Sequence, residues 1–395
     1  MTERPTIAGA LLYRGSRELD TNHGPFTVHL AQNLATRRHA LALTHGEVRS
    51  TEPLLARVHS SCVTSESYGA CDCDCVTQLG AALATIAERG RGVVFYLMQE
   101  GRGAGFAVKA RDRMMVQASR HRLDTFEAYR RMGFRADQRN YGEVVELVRL
   151  LGVRAPLQVL TSNPDKVAAL DDLVRIEGIL PLAGDASPYN RHYLEAKIRS
   201  GHRLVDSNSA EALAELPESV EVFEPYALPE RPRFVHLATY LLPIADAGGP
   251  HWFRLFAYFD LDAAEERVVL AYGPTDAAAP LVRVQRERLL ERLPLREGRR
   301  EREHFSAATI CATAAGAGLI GLVPARGFDR DLAEHSADPA PTAELLAYHL
   351  CGRSAKVLTG AEERDAEITA ALTGAGIAIE ARVDLVSERE HAIAG

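Results

Sequence analysis

The sequence predicts a mixed α+β chain built from two tandem copies of one unit, and three observations carry that reading. Strand-like and helix-like runs alternate along the chain. Residues 57–101 and 283–327 share glycines and apolar pattern at a constant offset of 226 without a gap, so that Arg57 meets Arg283, Gly90 meets Gly316, Gly92 meets Gly318 and Gly101 meets Gly327. A fixed offset is the mark of duplicated units. Finally, 395 residues with 46% hydrophobic and 25% charged side chains are ordinary globular usage and enough for two or three domains.

The elements follow from local pattern. "HALALTHG" (39–46) and "GVVFYLMQ" (92–99) are apolar runs of strand length. "CVTQLGAALATIAERG" (75–90) repeats its apolar residues at helical spacing and ends on Gly90, a helix stop. "YGEVVELVRLLGV" (141–153) is a second helix and leads into the strand "PLQVL" (156–160). In "TSNPDKVAALDDL" (161–173), Asn163 is placed to cap a helix whose first residue is Pro164. Residues 204–232 are rich in Glu and Pro and read as a linker, which puts domains at 1–210 and 233–395 with the linker proper at 211–232. Further on, "VLTSNPDK" (159–166) is echoed by "VLTGAEER" (357–364).

Charge and composition exclude some functions. A formal charge of −7 argues against a protein that coats nucleic acid, so a phosphate site must rest on a few placed cations. The densest basic stretch, residues 283–303, sets eight Arg against five Glu, the pattern of a solvated, salt-bridged surface. The N-terminal segment lacks the apolar run of a signal peptide and no stretch approaches a membrane span, so a cytoplasmic location is expected. Thiols stay reduced there, and a tight cysteine cluster then reads as a metal site rather than a disulfide framework.

Four of the six cysteines fall within residues 61–75, "SCVTSESYGACDCDC". Zinc takes thiolates readily, and three protein ligands plus a water make a catalytic site, whereas four make a closed one. If residues 71–75 formed a strand, Cys71, Cys73 and Cys75 would share a face; spacing alone does not say which three of the four thiols bind. "YLMQEGRGAGF" (96–106) places three glycines after a strand, where backbone can approach a ligand, with Glu100 able to move a proton and Arg102 able to hold phosphate. "LTSNPDK" joins a strand end, a capped helix start and Lys166, which together make an anion site.

Taken in order, "RVHSSC", "CDC" before "QL", "QEGRG.G", "DTFEA", "GF.AD.R", "LTSNP.K" and "NRHYLEAK..SGH" resemble the GTP cyclohydrolase II family, over about Arg57 to Leu204. That family opens the imidazole ring of GTP with zinc and magnesium and releases formate and pyrophosphate. The resemblance places its zinc cysteines on Cys62, Cys73 and Cys75, leaving Cys71 as an extra thiol. It places the proton acceptor on Asp137 and the arginine that attacks phosphate on Arg139, for which clamping phosphate is the plainer role. Nucleotide contacts fall on Arg57, Gln78, Glu100, Gly101, Arg102, Thr125, Thr161 and Lys166.

Three departures accompany the resemblance. Ser61 stands where the family has Glu, and Asp72 stands where it has Arg. In "KARDRMMVQ" (109–117), followed by a short insertion, the family's tyrosine position falls on Arg113, Met114 or Met115. Neither Met nor Arg acts as a phenol does. The expected reaction is therefore zinc-dependent opening of a purine nucleotide, GTP first, ending at the formamidopyrimidine. Opening of a uridine nucleotide such as UMP is the alternative substrate reading, and a non-catalytic nucleotide sensor the alternative class. In the second copy, the offset puts Arg288, Arg299 and Glu301 at the zinc positions, and about 28 residues that would carry the counterparts of Asp137 and Arg139 are missing. That half is expected to bind no metal and to serve as a built-in pseudo-subunit, giving one zinc per chain and leaving room for further homodimerisation.

Overall fold

The computed structural model describes residues 7–8, 10–171, 174–182, 184–203, 211–246, 249–287, 289–293, 299–324, 338–351, 353–360, 365–385, 387 and 389–390. The first unit is an eight-stranded sheet in the order β1-β2-β3-β4-β6-β5-β7-β8. Its strands are β1 (Ile7–Ala8), β2 (Leu11–Thr21), β3 (Gly24–Asn33), β4 (His39–His45), β5 (Leu54–Ser60), β6 (Gly92–Leu97), β7 (Leu157–Leu160) and β8 (Ile176–Leu180). β1 to β4 form an antiparallel meander, β4 also runs antiparallel to β6, and β6, β5, β7 and β8 are parallel. The central strands are continuous apolar runs because both faces are covered; every residue of β6 is buried.

Among the described residues, seven α-helices complete this unit: α1 (Val63–Glu66), α2 (Cys75–Arg89), α3 (Phe106–Ala118), α4 (Thr125–Arg131), α5 (Gly142–Leu151), α6 (Pro164–Asp171) and α7 (Arg191–Arg199). On α2, Leu79, Ala82, Leu83 and Ile86 recur at helical spacing and are buried, and Gly90 ends the helix in the left-handed region at φ +78°. Asn163 caps α6 by accepting from the amide of Asp165 at 2.9 Å, with Pro164 in the first turn. The helix and strand expectations for 39–46, 75–90, 92–99, 141–153 and 156–171 are met to within a residue or two.

The second sheet has the order β9-β10-β11-β12-β14-β13-β15-β16, the same path strand for strand. Its strands are β9 (Tyr226–Leu228), β10 (Arg231–Asp246), β11 (Gly249–Asp260), β12 (Glu265–Tyr272), β13 (Leu281–Arg286), β14 (Gly318–Val323), β15 (Ser354–Thr359) and β16 (Ala378–Asp384). Register agrees too: Leu55 pairs with Gly92 and Leu281 with Gly318. Three helices are described here, α8 (Arg299–Ala314), α9 (Ala340–Leu350) and α10 (Asp365–Gly374). Between β14 and β15 only α9 appears among the described residues, where the first unit carries α3, α4 and α5.

Two readings need correction. β9 and the start of β10 lie within residues 211–232, so part of that stretch is sheet. The basic stretch from residue 283 is not a solvated face where it is described. Arg283 and Arg286 are buried in β13, Arg283 donating to the Leu358 carbonyl at 3.1 Å and Arg286 to Glu367, and Arg292 pairs with Glu287. A parallel central strand is covered on both sides, so its arginines must find partners inside.

The two units share cores. α3 lays Phe106, Ala110 and Met114 among Ala238, Tyr240, Leu242, Phe253 and Leu255 of the second sheet. In exchange, Leu290 and Leu293 enter the cluster around Leu79, Leu83 and Tyr96. Gln117 clasps the backbone of Leu241 in both directions, donating to its carbonyl at 2.7 Å and accepting from its amide at 2.8 Å. Among the described residues, no helix is long and apolar enough to cross a membrane.

Candidate active site

The site lies past the carboxyl ends of β5, β6 and β7. The chain leaves β5 for β6 on one side and then crosses to β7 on the other, and such a switch point leaves a crevice between diverging loops. The end of β5 delivers Cys62, the end of β6 delivers Glu100, Gly101 and Arg102, and the end of β7 delivers Thr161 and Lys166.

The sulfurs of Cys62, Cys73 and Cys75 lie within 4.8 Å of one another. Residues 71–75 are not a strand: they bend into the start of α2, which brings Cys73 and Cys75 to Cys62. Cys71 faces away, its thiol 3.4 Å from the Pro243 carbonyl across the boundary between units, and burial pushes its pKa up to about 12. Hydrogen bonds from the other two thiols, with Lys109 close by, pull Cys62 well below the ordinary thiol value. The Lys109 ammonium stands 3.2 Å from the Cys62 sulfur and 2.7 Å from a Glu100 oxygen, while the other Glu100 oxygen accepts from the Val63 amide. Three converging sulfurs beside an ammonium form a donor set that fits zinc.

Beside the thiols is a cavity of about 410 Å³ lined by Arg57, Arg102, Arg139, Lys166 and Lys197, with Asp124, Asp137 and Asp165 among its acids. A smaller cavity holds Cys62, Cys73, Glu100, Gly101 and Thr125, and the two share Cys75, Arg102, Arg139 and Tyr193. Every site residue expected from the sequence lines one or the other. Lys166 is buried, donates to the Val58 carbonyl at 2.9 Å, and is pushed well below the ordinary lysine value by burial and then by Arg57 and Arg139. Arg57 is lowered to about 10, chiefly by burial. Cations crowded in this way are a site prepared for an anion.

Several of these residues are engaged with one another. Arg57 donates to the Leu160 carbonyl at 2.8 Å and to Gln78 at 2.7 Å, and Gln78 donates to Asp74, which also accepts from Lys197. Thr125 donates to Asp112 at 2.9 Å, and Thr161 accepts from the Asn163 amide. Arg102 has a left-handed backbone (φ 53°), a strained conformation for a side-chain-bearing residue, and stacks 3.8 Å over the Phe126 ring. Gly101 (φ +57°) leaves no room to spare, since a β-carbon would meet Lys109 and the Tyr129 hydroxyl at 3.3 Å. Asp137 takes the Arg139 guanidinium on both oxygens, which holds its carboxyl below the usual range. A carboxylate so paired is a weak base until the arginine finds another anion.

The sequence reading did not single out Lys109 and Asp112 of α3 or Tyr193 and Lys197 of α7, and it named Arg113 of α3 only as one of three positions for the family's tyrosine. All five are buried or half-buried at the two cavities. The one available signal was a helix that carries Lys, Asp and Arg where its inward face should be apolar. For the tyrosine position, the structure separates the three options: Arg113 lines the smaller cavity, Met114 is buried in the shared core and Met115 packs beside Val116, Leu123 and Ala128. Of the second copy's zinc-site counterparts, Arg288 and the side chains of Arg299 and Glu301 lie outside the described residues.

Residues 13–177 match the sequence profile of GTP cyclohydrolase II. A GTP cyclohydrolase-2 from Pseudomonas putida is 38% identical over 203 residues, 51% of this chain and 97% of that one. The riboflavin biosynthesis protein RibBA of Bacillus cereus is 41% identical over 213 residues, 50% of this chain and 52% of its own. Among solved structures, RibBX, a two domain 3,4-dihydroxy-2-butanone 4-phosphate synthase from A. baumannii, overlaps 46% of this chain and 42% of that one at 17% identity, and its TM-score of 0.27 carries no structural inference.

Proposed function

The chain belongs to the GTP cyclohydrolase II family of hydrolases, and on that premise we propose that it opens the imidazole ring of GTP by adding water at a ring carbon. The observation that carries this reading is the placement of three convergent thiols at the edge of a cavity walled by Arg57, Arg102, Arg139 and Lys166. Cys62, Cys73 and Cys75 would hold zinc, which when bound supplies a Lewis acid and an acidified water. Lys109 balances the thiolate charge of that cluster and is itself tied to Glu100. Lys166, Arg57 and Arg102 hold the polyphosphate, accompanied by magnesium. Phosphate arriving at Arg139 loosens its hold on Asp137 and frees that carboxylate to take a proton.

The product is the formamidopyrimidine nucleotide, since of the three candidates for the family's tyrosine position it is Arg113 that lines the thiol cavity. Incubating the zinc-loaded protein with GTP should give a product heavier by one water without loss of formate. Release of formate would instead turn attention to Tyr193, the phenol that lines both cavities. Turnover of a uridine nucleotide in place of GTP would reassign the base, and no change in any nucleotide would make the protein a sensor.

A further inference from the structure

Two departures from the family pattern, 41 residues apart in sequence, meet in the fold: Arg113 Nε lies 3.2 Å from an Asp72 oxygen. Both residues are nearly inaccessible, at 4% and 5% exposure. The pair is incompletely satisfied. Arg113 Nε and Nη1 are both buried without a hydrogen-bond partner, the Asp72 contact being an ion pair alone, and so are one oxygen of Asp72 and one of Asp112. A buried guanidinium edge left unpaired is costly unless something else meets it. Arg113 lines the small cavity together with Cys62, Cys73 and Cys75, and its guanidinium sits 4.8 Å over the Tyr193 ring. The group that would complete it is an oxygen acceptor on the substrate atom that lies beside the thiols.

Resting on the ring-opening reading above, we propose that Arg113 is a catalytic residue that donates to the oxygen appearing on the attacked carbon, and that Asp72 is the positioning residue that holds it there. The step is an addition of one water. A C–O bond forms, one C–N bond of the same carbon breaks, the departing nitrogen keeps the electron pair and takes one of water's protons, and the other proton ends on the nitrogen that stays attached, leaving a formamide. In GTP that carbon carries only hydrogen, so the acceptor for Arg113 exists from the transition state onward. A donor aimed at such an oxygen raises kcat and leaves KM nearly untouched. Arginine stays protonated at any working pH, so it stabilises charge rather than transferring a proton.

The test is steady-state GTP turnover of Arg113→Gln, Asp72→Asn, the pair Asp72→Asn with Arg113→Gln, and the charge swap Asp72→Arg with Arg113→Asp, with zinc content and melting temperature measured alongside. The doubly neutral variant should keep its zinc and fold, hold KM within about two-fold and lose about 10²–10³-fold in kcat. Asp72→Asn should lose less, again in kcat alone. The swap should regain no activity, because the donor has left the cavity. Full kcat in the doubly neutral variant, a rise in KM that accounts for the loss, or activity restored by the swap would each overturn the inference. Wild-type protein inert toward GTP would sink the ring-opening reading and this one with it, whereas an active wild type with an unimpaired variant sinks this one alone.

Discussion

The two units follow one strand path and share details that have nothing to do with chemistry. Arg57 donates to the Leu160 carbonyl and Arg283 to the Leu358 carbonyl, each tying a central strand to its neighbour. Gly46 and Gly273 both take positive φ (+64° and +65°), each at a point where a β-carbon would collide with a glycine carbonyl, of Gly90 and of Gly316. What separates the units is the segment between their second and third parallel strands, β6 to β7 and β14 to β15. α3 and α4 supply Lys109, Asp112, Arg113 and Thr125 to the first unit, and no counterpart of either helix occurs among the described residues of the second. The scaffold and the site are therefore separable. A residue present in both units holds the fold, so the carbonyl contact of Arg57 is architectural, while its link to Gln78 and its place in the cavity wall belong to the site. The second unit has a task of its own, because its sheet is the surface on which α3 is seated.

Removing the second unit should have the largest effect. A chain ending at residue 210 would expose Phe106, Ala110 and Met114 and strand the Gln117 amide, and it should aggregate or self-associate on size-exclusion chromatography. A truncated chain that stayed monomeric and fully active would break the comparison, leaving the second unit without a structural role.

Next in size are the thiols. Cys62→Ser, Cys73→Ser or Cys75→Ser should each empty the metal site and abolish turnover, while Cys71→Ser should keep its zinc. Metal analysis of the wild type should return one zinc per chain; two would mean that the second unit has a centre of its own.

Asp112 sharpens the role of α3. Burial raises its carboxyl to about 6 from 3.8, so the folded state binds a proton more tightly than the unfolded chain. That contribution is complete below pH 3.8 and is lost as pH rises through 6, by up to about 3 kcal/mol over the window. In Asp112→Asn, the denaturation midpoint should no longer fall across that range; an unchanged profile would mean that another group titrates there. Gln117→Ala should cost about 2 kcal/mol, because the amide and carbonyl of Leu241 both lose their partner inside the shared core. Chemical denaturation would read that loss, and a change under 0.5 kcal/mol would argue that the strand edge is served by water.

The smallest effect has the opposite sign. Lys166 is a buried cation repelled by Arg57 and Arg139, so Lys166→Met should stabilise the substrate-free protein by roughly 1 kcal/mol while raising KM for GTP. Its folded-state pKa is depressed, so wild-type stability should rise with pH between that value and 10.5, a slope the variant loses. A variant that is both less stable and unaltered in KM would remove Lys166 from the anion site.

The sequence by itself determined the periodic elements, the duplication and the ordered motifs. Helix α2 was legible because an apolar face repeats at helical spacing and a glycine ends it, both of which are local properties of the chain. The offset of 226 was legible because parallel strands and their glycines tolerate little insertion. The motifs named three thiols only through resemblance, since spacing left four. Only the tertiary structure decided that Cys71 turns away to Pro243, that Arg113 rather than Met114 or Met115 faces the thiols, and that Asp72 is its partner. It also brought Lys109 to Cys62 across 47 residues and Lys197 to Asp74 across 123. The reason is that hydrophobic pattern reports which face of an element is buried, whereas a buried charge is stable only where a distant segment supplies its opposite, and no local pattern records which segment that is.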